Sequence, residues 1–263
     1  MLSNMRNPFH LVDMSPWPFL LSISVVCLAV GFVDWISGNS LVLFLSAMVL
    51  FLMGLFQWLR DVVRESNQGW HTSYVAGSIR LGMILFIISE IFFFFSFFFA
   101  FFSCSLVPGI EVGGVWPPVG IVSLNPFSLP LLNTAVLLGS GVSVTWCHHA
   151  MFCGNRMDAT FGLIISILLG CYFTFLQVCE YMECSFTIAD SVYGSLFYVM
   201  TGFHGVHVIL GSVMLLVGLF RLVNHEFSSE RYLGLEVSIW YWHFVDVVWI
   251  CLYLCVYWWG GSI

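Results

Sequence analysis

The sequence contains no lysine, and charged residues of any kind make up only 8% of it. Soluble domains carry roughly 25% charged residues, so this scarcity excludes an ordinary soluble enzyme. A disordered chain is excluded too, because such chains are rich in charged and polar residues. The formal net charge of -7 argues against a nucleic-acid-binding groove, since phosphate binding depends on clustered basic residues.

Paired cysteines and interior prolines are also missing. None of the nine cysteines belongs to a Cys-x-x-Cys motif, so the zinc and thiol-redox sites built on that motif are not indicated. Of the eight prolines, Pro16, Pro18 and Pro130 stand at the start of apolar segments, and none falls inside one. The apolar segments should therefore form helices without proline kinks.

Long apolar segments are what the sequence has instead, since 60% of its residues are hydrophobic. Each segment approaches the roughly 20 residues that a helix needs to cross a bilayer, and none shows the alternation of a membrane β-strand. The sequence predicts an all-α membrane protein that forms a single membrane domain over residues 1–263, with no second soluble domain. Its seven transmembrane helices are predicted at about 17–34, 41–59, 80–106, 130–151, 159–179, 191–220 and 233–258.

The basic residues indicate the orientation of these helices. If the chain crosses seven times, every arginine falls on the N-terminal side: Arg6, Arg60, Arg64, Arg80, Arg156, Arg221 and Arg231. The opposite loops carry acids alone, namely Asp34, Glu111, Glu183 and Asp190, with Glu180 expected at the rim of the fifth span. Because positive loops stay inside, the N-terminus should face the cytoplasm or the mitochondrial matrix.

Glu90 is the clearest candidate functional residue inside the membrane. It lies about ten residues into the third span, roughly 15 Å from Arg80 along the helix, near the bilayer midplane. Ionisable residues are costly at that depth and are functional candidates by default. Two interpretations stay open: a proton-exchanging or lipid-facing carboxyl, and a protonated acid that is hydrogen-bonded to a neighbouring helix.

Two histidine pairs lie in the last two spans. His204 and His207, at i and i+3, could present two metal ligands, but no Glu-x-x-His motif accompanies them. We therefore favour histidines that are packed and bonded across helices. His243 and Asp246, also at i and i+3, favour a hydrogen-bonded pair over a proton relay.

The inner end of the second span suits a phospholipid headgroup. Trp58, Arg64 and Ser66 combine an interfacial aromatic ring, a cation and a hydroxyl, and such sets recognise lipid at the membrane surface. A solvated helix end is the alternative interpretation.

Particular segments resemble one known family. The motifs Trp-Tyr-Trp-His-Phe-Val-Asp-Val-Val-Trp at 240–249 and Phe-His-Gly-x-His-Val at 203–208 are highly specific. Further similar segments are 11–18, 57–66, 82–93, 113–118, 131–149 and 193–211. Together they resemble subunit III of the haem–copper cytochrome c oxidase in its mitochondrially encoded form, from about residue 10 to the C-terminus.

The resemblance implies a non-catalytic core subunit of respiratory complex IV in the mitochondrial inner membrane, with the N-terminus in the matrix. Haem and copper would belong to subunits I and II, and this chain would bind neither. Its first two helices (about 1–66) would be separated from a five-helix bundle (about 71–263) by a V-shaped cleft that holds phospholipids. Phosphatidylglycerol, phosphatidylethanolamine and cardiolipin are the lipids expected. The partners would be subunits I and II, accessory subunits and membrane lipids, with no nucleic acid.

The resemblance also implies roles for single residues, and none of these roles is catalytic. The acid of the third helix is Glu90. The lipid-binding positions would be Trp58, Arg64, Glu65, Ser66, His71, Gly82, Phe86 and Arg221. Family members usually have lysines in the inner loops, whereas this chain has only arginines, which bind phosphate in a bidentate manner.

Two other functions compete with this assignment. A transporter or proton channel could use Glu90 and Asp246, but the sequence shows neither an internal repeat nor the matched, broken spans of transporters. A redox enzyme with its own haem or metal would need a complete ligand set, which the histidines do not supply.

Overall fold

The computed structural model describes residues 9–110, 113–229 and 231–262. Arg6 and Glu111, which entered the orientation argument, lie outside these described residues. Within these ranges the secondary structure is helical, apart from one isolated bridge between Ser228 and Arg231.

Seven helices are long and apolar enough to cross a membrane, which confirms the predicted number of spans. They are α1 (Trp17–Ile36), α2 (Val42–Asn67), α3 (Ser73–Leu106), α4 (Leu129–Phe152), α5 (Arg156–Glu183), α6 (Val192–Val223) and α7 (Leu233–Leu252). A C-terminal π-helix, Tyr253–Trp259, continues α7. Several helices are longer than predicted, because polar turns at the membrane surface continue the helix beyond the apolar run.

The helix ends follow local sequence signals. Pro18 lies in the first turn of α1 and Pro130 in the first turn of α4, where a missing N–H has no cost. The side chain of Asn155 accepts a hydrogen bond from the backbone N–H of Asp158 and caps α5. Ser191 caps α6 in the same way through Gly194. No proline interrupts the middle of a span, as the sequence predicted.

The chain divides into two compact units, one of which runs through the described residues up to Ile79. In this first unit α1 packs on α2. A Cβ at Gly31 would lie 2.7 Å from the backbone nitrogen of Phe44, so the two helices approach closely there. Near the other end of the pair, the indole N–H of Trp17 donates to the carboxylate of Asp61 at 2.7 Å.

The second unit, Arg80–Ile263, contains the main core. Trp242 of α7 is fully buried there, and its indole N–H donates to the hydroxyl of Ser140 on α4 at 2.9 Å. A Cβ added at Gly170 on α5 would lie 2.6 Å from the Trp242 ring, and a Cβ added at Gly211 on α6 would lie 2.8 Å from the same ring. Small residues at these two positions therefore let α5 and α6 close around one large ring.

Candidate functional site

Glu90 lies at the middle of the 34-residue helix α3, and its carboxyl meets a histidine of α6. Glu90 Oε2 is 2.9 Å from Nε2 of His207. The side chains are 21% and 10% exposed, and the rings of Phe94 and Tyr241 flank the imidazole. Arg80 does not take part, because it pairs with Glu236 at 2.9 Å.

The hydrogen bond of the second ring nitrogen of His207 indicates how many protons His207 and Glu90 share. Nδ1 lies 2.7 Å from the carbonyl oxygen of Phe203, and a carbonyl can only accept, so Nδ1 carries a proton. One further proton then lies between Nε2 and Glu90. The pair is neutral overall, as acid with imidazole or as carboxylate with imidazolium. The uncharged form has the lower cost in apolar surroundings.

His204 has partners different from those of His207. It is buried between the rings of Phe173 and Trp249, and its Nε2–H donates to the carbonyl oxygen of Val245 on α7 at 3.2 Å. His204 therefore bonds to α7 while His207 bonds to α3. The described residues contain no group of three or more histidine, cysteine, aspartate or glutamate side chains that could hold a metal ion.

The predicted hydrogen bond between His243 and Asp246 is not formed. His243 Nδ1 lies 3.6 Å from Asp246 Oδ2, which is longer than a hydrogen bond. Asp246 is buried and packs against Gly141 of α4, where a Cβ would lie 2.5 Å from the same carboxylate oxygen. His243 and Asp246 are therefore close without a hydrogen bond, because packing on α4 fixes the position of the carboxylate.

Five of the predicted lipid-binding residues belong to the first unit. The side chain of Arg64 is 63% exposed and its nearest carboxylate, that of Asp61, is 3.9 Å away. Asp61 is also held by Arg60 at 3.2 Å. Trp58 is exposed and Ser66 is half-buried on the same helix. Arg64 thus keeps most of its hydrogen-bonding capacity for a ligand outside the helix.

Glu65 and His71 meet around a histidine that the sequence did not single out. Glu65 lies 3.1 Å from Nε2 of His10. The ring of His10 stacks on Trp70 with centroids 5.5 Å apart and meets the edge of His71 at 6.4 Å. These residues form an aromatic and polar cluster at the C-terminal end of α2, which we call the His10 cluster.

The other three predicted lipid-binding residues belong to the second unit. Gly82 has open space where a Cβ would point, and Phe86 is 47% exposed while stacking on Tyr241. Arg221 is only 15% exposed, and its Nε donates to Glu226 at 2.9 Å. Its charge is thus largely neutralised by an acid of the same chain.

Glu180 lies in the last turn of α5, at the end of the fifth span as the sequence predicted. Only 1% of the residue is exposed, however, and its carboxyl accepts a hydrogen bond from Tyr257. Glu180 is buried inside the bundle, where α5 packs against α4 and α6 and Tyr257 of the π-helix bonds to the carboxyl. The detectable signal was the spacing of Gln177 and Glu180 at i and i+3, which places two polar side chains on one face.

An apolar groove of about 410 Å³ lies between α5 and α6, lined in part by Ile167, Phe175, Ile209 and Val213. It contains none of the predicted site residues.

Comparison with known proteins gives matches along nearly the whole chain. The family model described as cytochrome c oxidase subunit III matches residues 7–261. The protein named cytochrome c oxidase subunit 3 of Lumbricus terrestris is 56% identical over 257 residues, 97% of this chain and 99% of the relative. The protein of the same name from Heterololigo bleekeri is 54% identical over 97% of this chain and 99% of the relative. The one from Anopheles gambiae is 53% identical over 99% of this chain and 100% of the relative.

Proposed function

The chain belongs to the cytochrome c oxidase subunit III family and is a non-catalytic, multi-pass membrane subunit of complex IV, and we propose that it binds phospholipid there and stabilises the oxygen-reducing core. Complex IV is an oxidoreductase, so this chain contributes to aerobic electron transport through its assembly with the other subunits. Oxygen reduction itself would occur at the haem and copper of subunits I and II. Subunit III would also help to sustain proton uptake by that core.

The proposed location is the mitochondrial inner membrane, with the N-terminus in the matrix and the C-terminus in the intermembrane space. The described arginines support this orientation. Arg60 and Arg64 lie near the end of α2, Arg80 near the start of α3, Arg156 at the start of α5 and Arg221 near the end of α6. With seven spans all of these ends lie on one side, and positive residues remain on the inner side.

Lipid binding is supported by one observation above all, the exposed guanidinium of Arg64 near the end of α2. Arginine meets a phosphate in a bidentate manner, and tryptophan residues prefer the headgroup level of the bilayer. Trp58 and Trp70 are both exposed near the inner end of α2. The chemistry fits the phosphate of phosphatidylglycerol, phosphatidylethanolamine or cardiolipin.

The test replaces Arg64 by glutamine in the assembled oxidase and measures bound phospholipid by native mass spectrometry after mild delipidation. We expect the variant to retain about one phospholipid fewer, because the charge-assisted bond to the phosphate is lost. Arg231→Gln is the matched control, since it removes an exposed inner arginine outside the helices and should keep the lipid. Equal lipid content in wild type and Arg64→Gln would contradict the proposal.

The Glu90–His207 pair supports a second, structural role for this subunit. It joins α3 to α6 across 117 positions of the sequence by a polar contact inside the membrane. Such a contact specifies which helix faces pack together, because either group alone would be buried without a partner. We propose that Glu90 holds the bundle together and is not an essential proton relay.

A further inference from the structure

Glu180 is the most deeply buried acid among the described residues, and only one of its two oxygens has a partner. Oε1 accepts the hydroxyl of Tyr257 at 2.5 Å and the amide Nε2 of Gln177 at 3.2 Å. Oε2 is buried and has no hydrogen-bond partner. A buried oxygen that remains unpaired has a substantial free-energy cost, so a donor is required at Oε2.

A second unpaired oxygen belongs to the same network. Asn133 of α4 is fully buried, and its amide Nδ2 donates to Oε1 of Gln177 at 3.4 Å. Its carbonyl oxygen, Oδ1, is buried and also lacks a donor. Glu180, Gln177 and Asn133 therefore form a chain of hydrogen bonds with one unsatisfied acceptor at each end.

None of the ion pairs found among the described residues includes Glu180. The titratable groups that interact with it, or share its immediate neighbours, are Tyr257, Tyr181, Tyr193, Glu183 and Cys184. Each of these is an acid. A carboxylate buried without a cation is strongly unfavourable.

We propose that Glu180 is a proton-binding site whose proton resides on Oε2 and is donated toward the carbonyl oxygen of Asn133. One proton then satisfies both unpaired oxygens. The network becomes a closed ring in which Glu180 donates to Asn133, Asn133 donates to Gln177, and Gln177 donates to Glu180. Closed, fully paired networks are the favourable way to bury polar groups.

The proposed proton would act as a structural ligand. The ring joins α4, which carries Asn133, to α5, which carries Gln177 and Glu180, and the hydroxyl of Tyr257 attaches the C-terminal π-helix to it. Loss of the proton would place an unpaired negative charge where these three elements meet. The site is separate from Glu90, which lies on α3.

The test is infrared spectroscopy of the assembled oxidase with Glu180→Gln and Glu183→Gln variants. Glutamine reproduces the protonated acid, since its oxygen can accept from Tyr257 and its amide can donate to Asn133. The wild-type minus Glu180→Gln difference spectrum should show the loss of one carbonyl band of a protonated carboxylic acid. Glu183→Gln, an exposed acid three residues away, should remove carboxylate bands alone.

Two results would overturn the proposal. One is a Glu180→Gln spectrum that loses carboxylate bands and no protonated-acid band. The other is failure of Glu180→Gln to assemble while Glu183→Gln assembles normally, because glutamine would then not replace the native form. An independent check is Asn133→Leu, which removes the acceptor and should shift the protonated-acid band to higher frequency. An unshifted band would also contradict the ring.

Discussion

Replacing Glu90 by glutamine tests whether this carboxyl is a structural partner or a required proton donor. Glu90 Oε2 lies 2.9 Å from Nε2 of His207, whose Nδ1–H is already donated to the carbonyl of Phe203. In the neutral pair the acid donates to Nε2. The amide of glutamine can donate to the same nitrogen without a change in side-chain size. We therefore expect Glu90→Gln to preserve the contact between α3 and α6.

The expected magnitudes follow from what each variant leaves unpaired. Glu90→Gln keeps a donor to His207 and should cost less than about 1 kcal/mol of stability, in the range of one neutral hydrogen bond. Glu90→Ala leaves the largely buried Nε2 of His207 without a partner and should cost about 1–3 kcal/mol. If the pair were carboxylate and imidazolium, Glu90→Gln would itself cost about 3–5 kcal/mol, because a buried charge would lose its partner.

The assay is steady-state oxygen consumption by the purified complex, with thermal release of this subunit as the stability measurement. Glu90→Gln should leave oxygen reduction largely intact, whereas loss of an essential proton donor costs about 100-fold or more. A loss of that size, with assembly and lipid content normal, would show that Glu90 is a catalytic relay. A hydrophobic carbodiimide should label Glu90, whose side chain is 21% exposed, faster than it labels the buried Glu180.

Three further predictions concern packing, capping and thiol chemistry. Gly162→Ala should destabilise the contact of α5 with α4 by about 1–3 kcal/mol, since the new Cβ would lie 2.9 Å from the carbonyl oxygen of Ser143; unchanged thermal release would contradict this. Trp17→Phe should weaken the first unit by removing the hydrogen bond to Asp61, so hydrogen exchange in α1 should rise; unchanged exchange would contradict this. Burial raises the pKa of the Cys184 thiol, so labelling of Cys184 by maleimide should be slow at neutral pH. The labelling rate should keep rising above pH about 8.5, the ordinary pKa of a thiol. A rate that levels off below that pH would refute the prediction.

The number and approximate limits of the helices could be predicted from sequence because each depends on local composition. A bilayer requires about 20 apolar residues in each span, and this requirement located all seven helices. Helix ends were less accurate, as at α3, which begins at Ser73 and not near residue 80. The turn before the apolar run is polar, and hydropathy does not detect the part of a helix that extends beyond the hydrocarbon core of the membrane.

The sequence alone also identified Glu90 as an acid in the middle of a span, but it did not identify the partner. His207 lies 117 positions away, and helical periodicity specifies the face of a residue without specifying which helix that face meets. Asp246 is a second residue whose partner could not be predicted from the sequence. Its spacing from His243 favoured a hydrogen bond, yet packing against Gly141 holds the carboxylate 3.6 Å from that ring.

What composition and spacing determined, then, is the set of spans and the presence of ionisable groups within them. These properties depend on the transfer of single segments from water to lipid. The tertiary structure decided which polar groups are paired, because pairing depends on contacts between distant helices. Glu180 is the clearest case: its position near the end of its own helix says nothing of burial, and only packing in the folded bundle, with Tyr257 bonded to it, makes it a buried acid.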